Sequence, residues 1–371
     1  MRIGLLGFGV VGKGLYDLMQ GRTDMQIAKV CCLEDVQLEG TEVTKSFRDI
    51  LTDDTIDTVV EAIGGLHPAF DFVRDAILAS KNIITSNKAL VATFYDELLP
   101  LTKEKGVLLR CTAAVGGGIS WLSELERTRR TQNLLQVGGI MNGTCNYILD
   151  SMTRLGLGYD EALKQAQALG YAEANPTTDV EGIDTWHKVI LSSNIAFGIS
   201  LDSSTVPVAG ISKITGEDVA DFTAHGYVCK LISTGKRTEN GFAVFVQPTL
   251  CPQGAPEAAV PMNYNLITLV GDTSARMSFF GQGAGRYPTA YNVVQDCVEF
   301  MSGKGFYCEY GPKIAANNDL CLRYYVRGGW DGEVAETWGH GVITAPVAVS
   351  EMHKWLSQHP DAFIAALADM I

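Results

Sequence analysis

The chain has 371 residues, a formal net charge of −13 and 46% hydrophobic residues, which is typical of a globular protein with a sizeable core spread over two domains and a small third piece. The acidic balance argues against the basic surface that nucleic-acid binding needs, and no apolar run reaches the roughly 18 residues of a membrane span. The nine cysteines show no metal-binding or C-x-x-C spacing, so we expect reduced thiols and a cytoplasmic protein.

A glycine-rich turn follows the first predicted strand. The opening segment reads RIGLLGFGVVGKGLYDLM, and Gly7, Gly9 and Gly12 form G-x-G-x-x-G between an apolar strand and an amphipathic helix. Gly7 would make the tight turn, Gly9 would let a pyrophosphate approach the backbone, and Gly12 would let helix and strand pack closely. Unpaired N–H groups at the helix N-terminus suit phosphates. These elements predict a dinucleotide site, with a purely structural glycine turn as the alternative.

The second predicted strand, in QIAKVCCLEDV, ends just before Glu34. A carboxylate there can accept hydrogen bonds from the ribose hydroxyls of NAD and repel the additional phosphate of NADP. Asp35 competes for this role, and a solvated surface acid is the alternative. No Arg or Lys stands immediately beside Glu34 in the sequence, and the nearest basic residue is Lys29, inside the strand. The segment favours NAD over NADP.

Two further strands are predicted in TVVEAIGG and NIITSNKAL, with the helical PAFDFVRDAILASK between them. This β-α-β alternation predicts a doubly wound parallel sheet, and ligands of such sheets bind beyond the carboxyl ends of the strands. Gly65, Asn87 and Lys88 fall at those ends. Lys88 is therefore a candidate site residue, with an ordinary surface lysine as the alternative.

The pattern of predicted strands and helices changes at about residue 130. Strand-like LLQVGGIM, GYVCKLISTGKR and GFAVFVQPTL alternate with helices, and NGTCNYILDSMTRLGLGYDEALKQAQALG predicts two helices with a glycine-rich break. We expect a separate α+β substrate domain here. A second glycine loop then precedes another helix in FFGQGAGRYPTAYNVVQDCVEFM, where closely spaced glycines permit close backbone approach to a ligand.

The segment DVEGIDTWHKVIL carries a carboxylate and an amine four residues apart, Asp184 and Lys188. Thr178 and Glu181 fit a capping box, which predicts one helix starting at about residue 179 with Glu181, Asp184 and Lys188 on one side. The pair can be a surface salt bridge or two groups that engage one small molecule. Asp179 can bind substrate or simply favour the helix dipole.

Together these motifs resemble the homoserine dehydrogenase family. The matching pieces, in the family order and over roughly residues 1 to 305, are GFGVVG, EAIGG, TSNKALVA, AVGGGI, NGTCNYIL, GYAEANPTTDVEGIDTWHK, GISKIT and GQGAGRYPTA. The resemblance implies NAD(P)-dependent interconversion of L-homoserine and L-aspartate 4-semialdehyde, on the route to threonine, methionine and isoleucine. The alternatives are a relative acting on another small amino-aldehyde and a non-catalytic NAD-binding regulatory protein.

The resemblance also implies a domain plan. We expect an α/β fold with a Rossmann dinucleotide-binding domain at 1–130, to which a helix at about 286–305 returns, and an α+β catalytic and dimerisation domain at 131–285. A shortened C-terminal module would follow at 306–371, a degenerate remnant of the regulatory ACT domain that many relatives carry. Members of the family are usually homodimers.

By the family's pattern, Lys188 is the proton donor in aldehyde reduction, and Asp184 and Glu173 bind the amino-alcohol substrate. Lys88 would sit by the cofactor and the reacting oxygen. The implied substrate carries an ammonium, which needs acidic partners, whereas its oxygen needs a cationic donor. We therefore expect Asp184 and Lys188 to serve the substrate and not chiefly each other. The remaining cofactor contacts implied by the resemblance are Phe8, Gly9, Val10, Val11, Gly170 and Gly285.

Two departures from the family concern bound groups. The family's second strand commonly ends in Arg-Asp, and here Leu33-Glu34 stand at those positions, which supports NAD. The family's sodium site uses backbone carbonyls that match Val115, Gly117 and Ile119 together with a glutamate, and Thr112 stands at the glutamate position. A sodium ion there would lose its only charged ligand.

Overall fold

The computed structural model describes residues 1–304 and 311–368. These residues fold into two compact units. Unit 1 comprises Met1–Arg130, Gly198–Ser200 and Gln282–Pro312, and unit 2 comprises Thr131–Phe197, Leu201–Gly281 and Lys313–Ile371. None of the helices in the described residues combines the length and the hydropathy that crossing a bilayer requires.

The helices and strands follow one another along both units. In chain order the strands are β1 (Arg2–Leu6), β2 (Gln26–Cys31), β3 (Glu42–Thr44), β4 (Thr58–Glu61), β5 (Asn82–Thr85), β6 (Leu109–Arg110), β7 (Leu134–Ile140), β8 (Ser200–Leu201), β9 (Tyr227–Thr238), β10 (Gly241–Pro252), β11 (Tyr264–Gly271), β12 (Ala275–Gln282), β13 (Lys313–Ile314), β14 (Cys321–Leu322), β15 (Tyr324–Arg327), β16 (Val334–Trp338), β17 (Gly341–Thr344), β18 (Val347–Ala348) and β19 (Phe363–Leu367). The helices are α1 (Val10–Met19), α2 (Phe47–Leu51), α3 (Ala69–Leu78), α4 (Lys88–Thr93), α5 (Tyr95–Lys105), α6 (Trp121–Thr128), α7 (Gly143–Leu155), α8 (Tyr159–Ala168), α9 (Thr177–Val180), α10 (Ile183–Phe197), α11 (Gly216–Ala224), α12 (Arg286–Met301) and α13 (Val349–Gln358).

Unit 1 is built on a six-stranded parallel sheet with the order β3-β2-β1-β4-β5-β6. Its central strands are apolar runs rather than alternating patterns, and Leu5, Val60 and Ile84 are fully buried. Strands of this kind are buried on both faces, as expected of a parallel sheet covered by helices. The predicted doubly wound α/β architecture is confirmed.

Helix α12 belongs to unit 1 although it lies far along the chain. It packs against α1, and a Cβ added at Gly14 would lie 2.8 Å from the carbonyl oxygen of Arg286. Only glycine on α1 permits this close approach. A helix returning to the first domain was expected at about 286–305, and residues 305–310 lie outside the described residues.

Unit 2 is built on a nine-stranded sheet with the order β12-β11-β7-β9-β10-β19-β15-β17-β16. Strands β11, β7, β9 and β10 are joined by antiparallel pairs, whereas β10 and β19 run parallel. Helix α10 packs on β7, β9 and β10, and a Cβ added at Gly235 would lie 2.4 Å from the Ser193 hydroxyl of that helix. The sheet therefore fixes the position of α10 closely.

The described part of the C-terminal segment completes the sheet of unit 2. We predicted a separate shortened module at 306–371, but β15, β16, β17 and β19 continue the nine-stranded sheet. Strand β19 reads FIAAL and all five of its residues are buried, so it needs neighbours on both sides, which β10 and β15 provide. Residues 305–310 and 369–371 lie outside the described residues.

Candidate functional site

The glycine turn after β1 has the geometry predicted for it. Gly7 adopts φ +93°, and a Cβ there would lie 2.6 Å from the carbonyl oxygen of Ala62. A Cβ at Gly12 would lie 2.3 Å from the carbonyl oxygen of Gly7, whereas a Cβ at Gly9 would meet nothing within 4 Å. Gly7 and Gly12 are thus required by the turn and by packing. Gly9 faces open space, into which a ligand can approach the backbone.

The loops after β4 and β5 lie beside this turn, because β1, β4 and β5 are neighbours in the sheet. Glu61 is fully buried and makes hydrogen bonds to residues of both segments. One of its carboxylate oxygens accepts from the backbone N–H of Ile63 at 2.8 Å, and the other accepts from the Thr85 hydroxyl at 2.5 Å. The Asn87 amide donates to the carbonyl oxygen of Gly65 at 2.6 Å. Our sequence analysis gave Glu61 no role, although it stands in the EAIGG motif.

The residues of the turn fit a dinucleotide. Helix α1 begins at Val10, and its N-terminus is capped by Gly9 without any side-chain hydrogen bond. Its first N–H groups therefore suit a pyrophosphate. Around them Phe8 is buried, Val11 is half-buried and Val10 is exposed.

Three other residues that were predicted to contact the cofactor lie at the ends of helices. Gly285, at φ +126°, forms the N-cap of α12 in unit 1, again without a side-chain hydrogen bond. Lys88 is the first residue of α4 and is half-buried. Gly170, at φ +75°, follows the end of α8 in unit 2, where its N–H donates to the Gln167 carbonyl oxygen.

A cation lies close to Glu34 at the end of β2. Glu34 follows β2 and is exposed, as predicted for a ribose-binding carboxylate, but its side chain lies 3.7 Å from the ammonium of Lys13 on α1. The sequence neighbours of Glu34 do not reveal this cation, because Lys13 is distant from Glu34 along the chain. The competing Asp35 is exposed and pairs with Lys45 at 2.7 Å.

The loop that would bind sodium supplies backbone carbonyls that already have partners. The carbonyl oxygen of Gly117 accepts from the Asn292 amide at 2.5 Å, and that of Ile119 accepts from the backbone N–H of Trp121 at 2.7 Å. Val115, the third predicted carbonyl ligand, is fully buried. A carbonyl oxygen has two lone pairs, so each of these can accept a second bond.

Thr112, at the position of the family's glutamate, takes part in a different network. Its hydroxyl donates to Asp296 at 2.6 Å, and Asp296 also accepts from the Arg110 guanidinium at 2.8 Å. Burial raises the pKa of Asp296, against the lowering effect of Arg110. A buried cation thus already occupies this network, and the residues present fit a charged sodium-ligand set poorly.

In unit 2, the helix carrying Asp184 begins later than predicted. The expected single helix from residue 179 is two helices, α9 and α10, separated by Gly182 at φ +79°. Glu181 makes no capping box, because α9 is preceded by Pro176 and has no side-chain cap. A Cβ at Gly182 would lie 2.9 Å from a methyl of Val208, so this glycine is required by close packing. Glu181 and Asp184 do not share a helix.

Asp184 and Lys188 lie on consecutive turns of α10 and are both buried. The Lys188 ammonium donates to Asp184 Oδ2 at 2.6 Å and to the carbonyl oxygen of Met141 at 2.7 Å. Their expected roles toward a substrate stay a prediction, but in this structure the two side chains pair with each other. Burial is the reason, since neither charge can remain unpaired away from water.

A second carboxylate joins this pair through an asparagine. The Asn142 amide donates to Asp184 Oδ2 at 2.9 Å and to Asp179 Oδ1 at 2.7 Å. Nearby, the Cys145 thiol donates to the backbone carbonyl oxygen of Asp179, and burial raises the pKa of this thiol well above its ordinary value, so it stays neutral. Asn142 stands in the NGTCNYIL motif, but the sequence alone assigns it no role in the site, because an asparagine before a helix is usually only a cap.

The bonded cluster combines two carboxylates with one ammonium. Asp179 and Asp184 carry two formal negative charges, and Lys188 carries one positive charge. Glu173, also predicted to bind substrate, lies exposed between α8 and α9, and in the described residues its side chain makes no hydrogen bond to this cluster. Carboxylates of this kind can bind the ammonium of a ligand through charge-assisted hydrogen bonds.

The comparisons with known proteins match the residue ranges that carry the glycine turn of unit 1 and the Asp184–Lys188 cluster of unit 2. The family model "Homoserine dehydrogenase, NAD binding domain" matches residues 7–111, and "Homoserine dehydrogenase" matches residues 121–298. The homoserine dehydrogenase of Bacillus subtilis is 38% identical, with 88% of this chain and 81% of that protein covered, and that of Pseudomonas aeruginosa is 36% identical, with 81% and 72% covered. The crystal structure of a homoserine dehydrogenase from Thiobacillus denitrificans is 30% identical, with a TM-score of 0.88 over 100% of this chain and 98% of that one. The chain belongs to the homoserine dehydrogenase family.

Proposed function

We propose that the protein catalyses the reversible reduction of L-aspartate 4-semialdehyde to L-homoserine with a nicotinamide cofactor. The observation that carries this proposal is the state of Lys188: a buried ammonium held by Met141 and Asp184. A lysine ammonium has three N–H donors. Two donate within the described residues, which leaves the third for the oxygen of a substrate.

Lys188 is the proposed proton donor. The nicotinamide, when bound, supplies a hydride to the aldehyde carbon, and negative charge develops on the aldehyde oxygen. An ammonium aimed at that oxygen stabilises the charge and delivers the proton that completes the alcohol. In the reverse direction the neutral amine accepts the proton from the alcohol. Lys88 is proposed to lie by the cofactor and the same oxygen.

The acidic residues are proposed to bind the ammonium of the substrate. Asp179 and Asp184 lie together beside Lys188, and carboxylates are the groups that bind an ammonium such as that of an amino-acid substrate. Glu173, exposed in the α8–α9 segment, is proposed to complete the binding of this ammonium. The lysine would then serve the substrate's oxygen, while the carboxylates serve its nitrogen.

We infer a preference for NAD over NADP from Glu34, which follows β2 and is exposed. A carboxylate there accepts hydrogen bonds from ribose hydroxyls and repels a 2′-phosphate. Lys13 partly offsets this repulsion, so we expect a moderate preference and measurable activity with both cofactors. The proposed cofactor contacts are Gly7, Phe8, Gly9, Val10, Val11, Gly12, Gly65, Gly170 and Gly285.

The family also suggests where and how the protein acts. We propose a cytoplasmic homodimer on the route to threonine, methionine and isoleucine, because members of the family are usually of this kind. Sedimentation of the purified protein tests the assembly, and a monomer at micromolar concentration would contradict it.

A turnover assay tests the proposed reaction. We expect the purified protein to oxidise NADH and NADPH in the presence of L-aspartate 4-semialdehyde, and to reduce NAD in the presence of L-homoserine. Turnover only with a different small amino-aldehyde would favour a relative of altered specificity. Cofactor binding without turnover of any such substrate would favour a regulatory protein and would contradict our proposal.

A further inference from the structure

The two residues after β7 hold both members of the buried pair. Strand β7 ends at Ile140, and the carbonyl oxygen of Met141 accepts from the Lys188 ammonium at 2.7 Å. The next residue, Asn142, donates to Asp184 Oδ2 at 2.9 Å, the same oxygen that accepts from Lys188. The end of one rigid strand thus fixes the ammonium and its carboxylate together.

The backbone determines which way the Asn142 amide faces. Its Oδ1 accepts from the backbone N–H of Cys145 at 2.8 Å and thereby caps α7. A backbone N–H requires an oxygen, so the amide nitrogen must face the other way. That nitrogen has two hydrogens, and they are directed at two different carboxylates, Asp179 and Asp184.

A neutral amide is the side chain that this position requires. Asn142 is buried, with only 5% of its surface exposed, and stands between two carboxylates. An acidic residue would add a third negative charge, and a hydroxyl has one donor where two are used. The next residue is also closely packed, since a Cβ added at Gly143 would lie 2.6 Å from the Asn263 carbonyl oxygen.

We propose that Asn142 is a positioning residue for the reaction: by donating to Asp179 and Asp184 it keeps both carboxylates ionised and fixes Asp184 for the substrate ammonium and for Lys188. This inference rests on the proposed function for the identity of the substrate. Asn142 itself need not touch the reacting atoms. A donor to a carboxylate favours its ionised form, so loss of the amide raises the carboxylate pKa.

Two further titratable side chains close to the cluster, Cys145 and Tyr159, have raised pKa values. The Cys145 thiol on α7 stays neutral, because burial and the charges of Asp179 and Asp184 raise its pKa. Burial also raises the pKa of the Tyr159 hydroxyl on α8, and Glu181 contributes to that rise. Lys188 is a cationic group of the cluster, and it opposes the rise in the Cys145 pKa. A shift in an acid-side titration therefore reports on the carboxylates.

The test uses two variants that keep the helix cap. Asn142→Ser and Asn142→Asp both retain an oxygen that can accept from the Cys145 N–H, and both residues are good N-caps. Neither supplies two amide hydrogens. The matched control is Thr215→Ala, which removes the side-chain cap of α11, a helix remote in sequence from these residues, and should lower only the melting temperature.

We expect two results with the full-length protein. An infrared titration of carboxyl protonation should show carboxylates of Asn142→Ser titrating about one pH unit higher than in the wild type. In kinetics, the KM for homoserine should rise about tenfold or more while the KM for NAD stays unchanged, and the acid limb of kcat/KM should move to higher pH. Asn142→Asp should show both effects more strongly.

Opposite results would overturn the proposal. An unchanged carboxylate titration in both Asn142 variants, with a lowered melting temperature like that of Thr215→Ala, would make Asn142 a helix cap only. The infrared titration needs no turnover, so it judges Asn142 even if the wild type fails to oxidise homoserine. That failure in the wild type would instead contradict the proposed function.

Discussion

The buried ammonium of Lys188 is stabilised by hydrogen bonds to the protein. Its ammonium donates to one backbone carbonyl and one carboxylate, and 9% of the side chain is exposed. The i, i+4 spacing in the sequence predicted that Asp184 and Lys188 would be close, and it did so correctly. The spacing could not show that the two side chains are buried together and paired, because their burial depends on β7, which is distant in sequence.

Replacing Lys188 tests its chemical role. We expect Lys188→Ala to lower turnover by about 100-fold or more, because the developing alkoxide loses its proton donor. The dissociation constant for NADH, measured by fluorescence titration, should stay unchanged. Lys188→Arg keeps a positive charge beside Asp184 and controls for loss of the buried pair. Near-normal turnover of the alanine variant would remove Lys188 from the proposed role.

Replacing Glu34 tests the cofactor preference. We expect Glu34→Ala to narrow the ratio of kcat/KM for NADH over NADPH, because repulsion of the 2′-phosphate is lost. Lys13→Ala is the matched control, since Lys13 lies 3.7 Å from Glu34. Loss of this positive charge should lower kcat/KM for NADPH and so widen the ratio. An unchanged ratio in both variants would show that this ion pair does not face the ribose.

At the scale of elements, the glycine turn and the parallel strands were predictable, whereas the break at Gly182 was not. The G-x-G-x-x-G spacing is a local pattern that predicts a tight turn between a strand and a helix. The β-α-β alternation is likewise local and predicts a parallel sheet. The T-x-x-E pattern at Thr178 is local too, but it is overridden because Gly182 packs against Val208. That contact joins residues far apart in the chain, so a capping rule alone cannot anticipate it.

Two glycines of the same turn should respond differently to alanine. Gly12→Ala should lower the free energy of unfolding by about 1–3 kcal/mol in urea denaturation, because its Cβ would lie 2.3 Å from the Gly7 carbonyl oxygen. Gly9→Ala should leave stability unchanged, since its Cβ meets no protein atom, but should weaken NADH binding about tenfold or more. Equal effects of the two substitutions on stability would contradict the division of roles.

At the scale of the whole molecule, the sequence predicted the two kinds of fold but not the path of the C-terminal segment. Strand β19 pairs in parallel with β10, and β15 lies on its other side. Pairings between strands so far apart leave no trace in local periodicity. The separate module was predicted from the resemblance to relatives with an ACT domain, and the local pattern of the segment does not show that its strands join the sheet of unit 2.

The C-terminal segment should also affect acid stability through His353 on α13. Its Nε2 lies 2.9 Å from the Gln247 side-chain oxygen on β10, and burial lowers the pKa of His353 to about 4. Between its ordinary pKa of 6.5 and this value, the unfolded chain binds a proton that the folded chain does not, so stability falls as the pH falls.

Substitution of His353 by glutamine should remove this contribution. We expect the free energy of unfolding of His353→Gln, from urea denaturation at several pH values, to decline less than that of the wild type on acidification below pH 6.5. Above pH 7 the two proteins should show parallel pH profiles, because the histidine is neutral in both states there. An unchanged decline would show that His353 protonates readily in the folded protein.

The central claim is a division of roles, in which Asp184 binds the substrate's nitrogen and Lys188 its oxygen. A crystal structure of the protein with NAD and L-homoserine tests it most directly. We predict the homoserine ammonium within hydrogen-bonding distance of Asp184, and the Lys188 ammonium within hydrogen-bonding distance of the homoserine hydroxyl. A complex in which the hydroxyl lies away from Lys188, and Lys188 still donates only to Asp184 and Met141, would contradict the claim.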